Sequence, residues 1–126
     1  MEHPEICRDI DVVTFVPMGQ GHARAKEYNQ SEVLARRVAA LSSLACLCAL
    51  QKVRKTKPQN ALSREERLIN LRGAFTARPR ARVKDARVLL VDDVMTTGAT
   101  LGECAKVLRD AGAREVRCLT LARGVS

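Results

Sequence analysis

Two adjacent carboxylates, Asp92 and Asp93, follow directly after a run of branched apolar residues and are the side chains best suited to chemistry. A loop of small and hydroxylated residues comes shortly after and leads into a helical pattern: Thr96, Thr97, Gly98, Ala99 and Thr100. The backbone N–H groups and hydroxyls of such a loop, with the positive end of a helix dipole, favour a bound phosphate. The carboxylates would repel that phosphate, so they suit sugar hydroxyls or a metal ion beside it. This pattern predicts a site for a phosphorylated ribose.

A second loop whose residues could bind a ligand follows the first apolar run, Val12 to Val16, which ends at Pro17. It contains the pair Met18-Gly19 and two cations, Arg24 and Lys26. Glycine lets the backbone approach a ligand closely, and the cations would neutralise an anion. The alternative is an ordinary basic surface loop, with its histidine facing solvent.

The elements around the acidic pair are those of a parallel sheet. Val88 to Val91 is typical of a strand covered on both faces. Thr100 and Glu103 form a capping-box pattern, which predicts that the helix begins there, and Gly112 should end it. A further apolar strand is predicted from Glu115 to Ala122. Strand, helix and strand in this order predict a right-handed crossover unit, which binds ligands at the carboxyl ends of its strands.

The first half of the chain supplies the flanking elements. Asn29 and Glu32 predict another capped helix. We expect its apolar stripe to face the sheet: Leu34, Val38, Leu41 and Ala45. Residues 44–53 should contain a turn into a second strand, and Gly73 to Phe75 a short strand.

The segment Lys52 to Arg72 is rich in charge and carries a third capping-box pattern, Ser63 with Glu66. Its length inside a small domain indicates either a functional segment or a disordered one, and a solvated connector is the alternative. Residues 77–84, which are rich in arginine, are predicted to form a basic surface turn.

Composition limits the function classes. The 126 residues predict one domain, and the net charge of +8 favours polyanionic partners. The five cysteines show no zinc-binding spacing, so we expect buried thiols and a reducing, cytoplasmic location. No apolar run approaches the roughly 18 residues of a membrane span, and the N-terminus does not resemble a signal peptide.

The run Val88 to Thr100 closely resembles the phosphoribosyl pyrophosphate motif of type I phosphoribosyltransferases. Further blocks resemble the ComF family of phosphoribosyltransferase-like proteins: Arg24 to Gln30, Thr56 to Gln59, Leu62 to Arg67 and Asn70 to Phe75. The resemblance covers the chain from about Asp11 to its end. It implies an α/β, type I phosphoribosyltransferase-like fold, with a central parallel sheet flanked by helices and a mobile loop over the site.

The resemblance also implies roles for the candidate residues. Asp92 and Asp93 would be catalytic and bind the ribose hydroxyls, directly or beside magnesium. The loop Thr96, Thr97, Gly98, Ala99 and Thr100 would hold the 5-phosphate. The pyrophosphate would lie against a set of residues after the first strand: Pro17, Met18, Gly19 and Arg24. Residues 52–72 occupy the place of the mobile loop.

The implied activity is magnesium-dependent transfer of phosphoribose from phosphoribosyl pyrophosphate to an unidentified nitrogenous acceptor. An alternative is a non-catalytic module that senses the ligand or serves DNA uptake, with single-stranded DNA or competence-machinery proteins as partners. An unrelated phosphate-binding α/β protein is a third hypothesis, because a fold alone supports many functions. Type I relatives are often dimers, which makes a homodimer one candidate assembly, but the sequence does not determine the oligomeric state.

Two features depart from the family pattern. Relatives commonly begin with a cysteine-rich zinc-binding module and a helix, whereas this sequence starts almost directly at the first core strand, so a single domain over residues 1–126 is expected. Glu27 stands where many relatives have glycine, and a carboxylate there would weaken pyrophosphate binding if it pointed inward.

Overall fold

A parallel sheet of four strands organises the protein. The computed structural model describes residues 7–18, 29–54, 56, 62–93 and 98–121. The elements in chain order are β1 (Val12–Phe15), α1 (Gln30–Leu41), β2 (Ala45–Cys46), β3 (Leu50–Lys52), α2 (Arg64–Leu71), β4 (Phe75–Ala77), β5 (Arg87–Asp93), α3 (Gly98–Asp110) and β6 (Glu115–Leu121). The sheet order is β2-β1-β5-β6, and β3 and β4 form a separate antiparallel pair. The expected α/β fold with a parallel sheet is confirmed.

The two central strands, β1 and β5, are buried on both faces. Alternate side chains point to opposite faces of the sheet, and each face is covered by an apolar core cluster. Val12 and Val88 point toward α3 and the β3–β4 pair, where they join one apolar core cluster. Val13 and Leu89 point the other way and pack against α1 in a second cluster. Helices on both faces explain why residues 88–91 form an unbroken apolar run.

The side of α1 that faces the sheet differs from our expectation. The buried residues of α1 are Ser31, Ala35 and Ala39, spaced four apart. Leu41 is 49% exposed, so its predicted place in the core was wrong. Ala45 belongs to β2 and is exposed. Small side chains let the helix axis lie close to the sheet. Two of the larger predicted residues, Leu34 and Val38, consequently pack only at its margin.

The predicted helix starts are confirmed at two of three places. The Asn29 side chain accepts a hydrogen bond from the Ser31 N–H at 3.0 Å, as an N-cap does, although Glu32 pairs with Arg36 at 2.7 Å. Ser63 and Glu66 form the complete capping box of α2. The start predicted for α3 was wrong, because this helix begins at Gly98.

Thr100 therefore lies inside the first turn of α3, where its side chain is buried. The Glu103 carboxylate accepts a hydrogen bond from the Gly73 N–H at 3.4 Å. Thr100 and Glu103 therefore do not form a capping box, because the Thr100 side chain is buried and the Glu103 carboxylate contacts Gly73.

The cysteines are less uniform than expected. All five lie in the part of the chain that the structure describes, and all are free thiols. Cys7 and Cys104 are buried, and burial raises the pKa of the Cys104 thiol, with the Asp92 carboxylate adding to the effect. Cys48 and Cys118 are exposed, so their predicted burial was wrong. Cys118 lies on β6, which is an edge strand among the described strands of the sheet.

No helix within the described ranges is long and apolar enough to span a lipid bilayer.

Candidate functional site

The carboxyl ends of β1 and β5 bring two of the predicted residue groups to the same edge of the sheet. The strands are parallel neighbours, with Phe15 paired to Val91. The Val16 N–H donates to the Val91 carbonyl at 3.1 Å, which carries the pairing to the end of β1. Pro17 and Met18 therefore leave the sheet beside Asp92 and Asp93. Met18 is 37% exposed. Gly19 and Arg24, the other predicted pyrophosphate ligands, lie outside the described residues.

The acidic pair ends β5 and is well buried. Asp92 is 1% exposed and Asp93 is 9% exposed. Both also pair with β6, through Thr120 and Leu121. Two adjacent buried carboxylates carry a desolvation cost, which hydrogen bonds must offset. Their placement at a strand terminus is typical of a ligand site.

One hydrogen bond to Asp92 comes from Ser31 in α1. The Ser31 hydroxyl donates to Asp92 Oδ1 at 2.8 Å, and the Asp93 N–H donates to the same oxygen at 2.8 Å. The Asp93 N–H also reaches Ser31 Oγ at 3.0 Å. These three groups form a closed ring that links residues 61 positions apart in the chain.

Asn29 fixes where α1 begins and so where Ser31 lies. Its Nδ2 donates to the Val16 carbonyl at 2.9 Å, while its Oδ1 caps the Ser31 N–H. The end of β1 is thereby connected through Asn29 and Ser31 to the end of β5. Sequence reasoning missed Ser31. The available signal was the spacing of Ser31, Ala35 and Ala39, because small residues four apart indicate a helix face held close to another element.

The first turn of α3 contains the described part of the predicted phosphate loop. Gly98, Ala99 and Thr100 lie there, close in sequence to the acidic pair, and Thr96 and Thr97 lie outside the described residues. A cavity of about 620 Å³ opens between this turn and α2. The described residues that line it combine two arginines, apolar groups, glycines and one carboxylate: Arg64, Arg67, Leu68, Leu71, Gly98, Ala99, Gly102 and Glu103.

The described parts of the predicted mobile loop are tied to each other. Arg54 Nη2 donates to the carbonyl oxygens of Asn70 at 2.6 Å and Arg72 at 2.7 Å, which joins the beginning of the segment to its end. Lys52 Nζ donates to Thr56 Oγ1 at 2.8 Å and lies 5.9 Å from the centre of the Phe75 ring. Partial burial lowers the pKa of Lys52. Residues 55 and 57–61 lie outside the described residues.

The chemistry of the acidic pair fits magnesium bound together with a substrate. Among the described residues, no group of three or more His, Cys, Asp or Glu side chains could hold a metal alone. Magnesium, however, is usually bound by one or two carboxylates plus substrate phosphates and water. Asp92 and Asp93 supply carboxylate oxygens that could be such ligands, at the end of β5.

Comparison with curated proteins shows two groups of relatives. The chain is 36% identical to Competence protein F of Haemophilus influenzae over 115 residues, which are 90% of this chain and 50% of that protein. It is 34% identical to DNA utilization protein YhgH of Salmonella typhi over 116 residues, 90% of this chain and 49% of that protein. The chain thus spans about half the length of these relatives. The resemblance to the ComF family is confirmed.

Comparisons with solved structures and with family models are consistent with these relatives. The structure described as "Structure of the allosteric regulatory enzyme of purine biosynthesis" matches with a TM-score of 0.59 and 26% identity, over 91% of this chain and 23% of that one. The model of the phosphoribosyl transferase domain matches residues 29–126. This match includes α1, the acidic pair and α3, which together build the candidate site. The chain therefore belongs to the phosphoribosyl transferase domain family.

Proposed function

We propose that this chain binds phosphoribosyl pyrophosphate with magnesium at the carboxyl ends of β1 and β5 and transfers the phosphoribosyl group to a nitrogenous acceptor. The observation that carries this proposal is the buried acidic pair Asp92–Asp93, which ends β5 and is separated by four residues in sequence from the first turn of α3. A strand end, two carboxylates and a helix N-terminus suit a ligand with a diol and a phosphate.

The two ends of the ligand would meet different groups. Gly98, Ala99 and Thr100, with Thr96 and Thr97, would hold the 5-phosphate at the positive end of α3. Pro17, Met18, Gly19 and Arg24 would lie against the pyrophosphate. The location of Pro17 and Met18 at the same sheet edge as the acidic pair supports this arrangement.

The acidic pair would act on the sugar. As pyrophosphate leaves, positive charge develops on the ribose ring, and carboxylates held in place beforehand stabilise that charge without reorganising. Asp92 and Asp93 would also be the protein groups that hold magnesium. When bound, magnesium would offset the negative charge of the pyrophosphate leaving group.

The test is calorimetric titration with phosphoribosyl pyrophosphate, with and without magnesium. We expect binding by the natural chain that needs magnesium, and loss of at least tenfold in affinity in the Asp92→Asn/Asp93→Asn variant, because charge-assisted bonds contribute about 1.5–3 kcal/mol each. The matched control is Asp85→Asn/Asp110→Asn, which removes two exposed carboxylates outside the site. Equal affinity in the two double variants would contradict the proposal.

A second candidate function is favoured by the names of the relatives, "Competence protein F" and "DNA utilization protein YhgH". In this proposal the fold serves DNA uptake, in the cytoplasm, as a module that binds single-stranded DNA or a partner protein. The net charge of +8 and the exposed arginines between β4 and β5 support it. Oligonucleotide binding that persists in the Asp92→Asn/Asp93→Asn variant, without phosphoribosyl pyrophosphate binding by the natural chain, would favour this module over the enzyme.

A further inference from the structure

Ser31 makes a buried contact to the acidic pair that neither the family motif nor the sequence pattern assigns. It is the second residue of α1 and is 4% exposed, so no solvent replaces its partners. Its hydroxyl uses both hydrogen-bonding functions at the site, since it donates to Asp92 Oδ1 and accepts from the Asp93 N–H. We infer that Ser31 is a positioning residue, which orients the Asp92 carboxylate for the ribose. This inference rests on the proposed function.

Two hydrogen bonds to Oδ1 fix the orientation of the Asp92 carboxylate, and one of them comes from Ser31. A carboxylate rotates about its bond to the β-carbon, and a hydrogen bond to one oxygen sets the plane of both. Ser31 Oγ and the Asp93 N–H both bind Oδ1, at 2.8 Å each, so this oxygen is held from two directions. The orientation of Oδ1 determines the direction of the second oxygen.

The same ring constrains Asp93. Its backbone N–H lies between Asp92 Oδ1 and Ser31 Oγ, so the path of the chain at the end of β5 depends on both. Removing the hydroxyl would take away one of the groups that the amide contacts here. The two ribose-binding carboxylates would then be displaced together.

Ser31 is itself held by groups at the other side of the site. Asn29 connects the Ser31 N–H to the Val16 carbonyl, one residue before Pro17 of the predicted pyrophosphate loop. A displacement at the end of β1 would therefore reach the acidic pair through Asn29 and Ser31. This connection gives the two strand ends a second link through α1, beside their direct backbone pairing.

A purely structural role is the competing explanation, because the same hydrogen bonds also attach α1 to β5. Ser42 provides the matched control. It lies at the other end of α1, is equally buried, and its hydroxyl has no hydrogen-bond partner within the described residues. Ser31→Ala and Ser42→Ala thus delete the same buried atom with and without the contact to the acidic pair.

The experiment is calorimetric titration of the full chain with phosphoribosyl pyrophosphate and magnesium, below the melting temperature of every variant. We expect Ser31→Ala to bind roughly tenfold more weakly, as when one partner of a buried charged hydrogen bond is removed. Ser42→Ala should match the natural chain. Ser31→Thr, which keeps the hydroxyl, should recover most of the lost affinity. A merely structural role would restore affinity only together with the free energy of unfolding, which urea denaturation of the same variants measures.

Should Ser31→Ala fail to fold, Asn29→Asp serves instead. It retains an acceptor for the Ser31 N–H but removes the donor to Val16, and a several-fold weaker binding is expected. If the natural chain binds and the variants at positions 29 and 31 bind equally well, the positioning role is wrong while the proposed function stands. If the natural chain itself does not bind, the proposed function fails and the inference falls with it.

Discussion

Buried hydroxyl groups make contacts at places where the regular hydrogen bonds of the sheet stop. Thr14 in β1 is fully buried, and its Oγ1 donates to the Leu47 carbonyl at 2.7 Å. The same oxygen accepts from the Ala49 N–H at 3.2 Å. Thr14 thus satisfies two backbone groups of the segment between β2 and β3, much as Ser31 satisfies the groups at the end of β5.

We predict that Thr14→Val lowers the free energy of unfolding by about 1–3 kcal/mol, because valine has nearly the same shape but leaves a buried carbonyl and amide without their partner. Urea denaturation followed by circular dichroism measures this change. Ser42→Ala is the control, since its hydroxyl has no partner in the described part of the chain. Comparable losses in both variants would show that the Thr14 contacts do not stabilise the fold.

At the residue scale, the sequence was informative where chemistry and local order coincide. The location of Asp92 and Asp93 at a strand end followed from a short apolar run and was correct. Ser31 could not be assigned to the acidic pair in this way, because its hydrogen-bond partner Asp92 is 61 residues away in the chain. The spacing of Ser31, Ala35 and Ala39 indicates which face of α1 is buried, but it does not identify the group that Ser31 contacts.

At the scale of elements, local signals predicted helix ends better than helix faces. The N-cap Asn29, the capping box of α2 and the end of α3 at Gly112 are all as expected, since each depends on residues within a few positions. The buried face of α1 depends on how closely the sheet approaches, so the apolar stripe was a poor guide there. The buried face of α1 is formed by small side chains and not by the larger apolar ones.

Gly112 and Gly102 offer a matched pair at this scale. Gly112 follows α3 with a φ of +106°, and an added Cβ would lie 3.3 Å from Lys84 Cγ. We predict that Gly112→Ala destabilises the protein by about 1–3 kcal/mol, the usual cost of such a backbone conformation in other residues.

Gly102 lies in the middle of α3, and an added Cβ would meet no atom within 4 Å among the described residues. Gly102→Ala should therefore stabilise the protein by about 0.5–1 kcal/mol through helix propensity. Thermal denaturation of both variants measures the two shifts. An increase in stability in both would mean that α3 can end without a left-handed residue.

At the scale of the whole molecule, one group of exposed cations lies on the segment between β4 and β5. Arg78, Arg80, Arg82 and Lys84 are exposed on the segment that precedes β5. The Asp85 N–H donates to the Gly112 carbonyl at 2.8 Å, which fixes the end of this segment at the amino ends of β5 and β6. The acidic pair ends β5 at its other end. The fold therefore separates a basic edge, formed by these four residues, from the proposed ligand site.

This separation allows DNA binding and ligand binding to be tested independently. If single-stranded DNA binds at the basic edge, Arg80→Gln/Arg82→Gln should weaken oligonucleotide binding while leaving titration with phosphoribosyl pyrophosphate unchanged. The slope of log K against log salt concentration should fall in magnitude by about 1.4, because each phosphate contact to a single strand contributes about 0.7.

The control is Arg36→Gln/Arg37→Gln, which removes the same charge from exposed positions on α1. Fluorescence anisotropy of a labelled oligonucleotide at several salt concentrations gives both slopes. Equal slopes in the two variants would show that only overall charge attracts DNA, since a general field does not depend on which arginines are removed. A smaller slope in the basic-edge variant alone would locate the phosphate contacts at the amino ends of the strands, opposite the acidic pair.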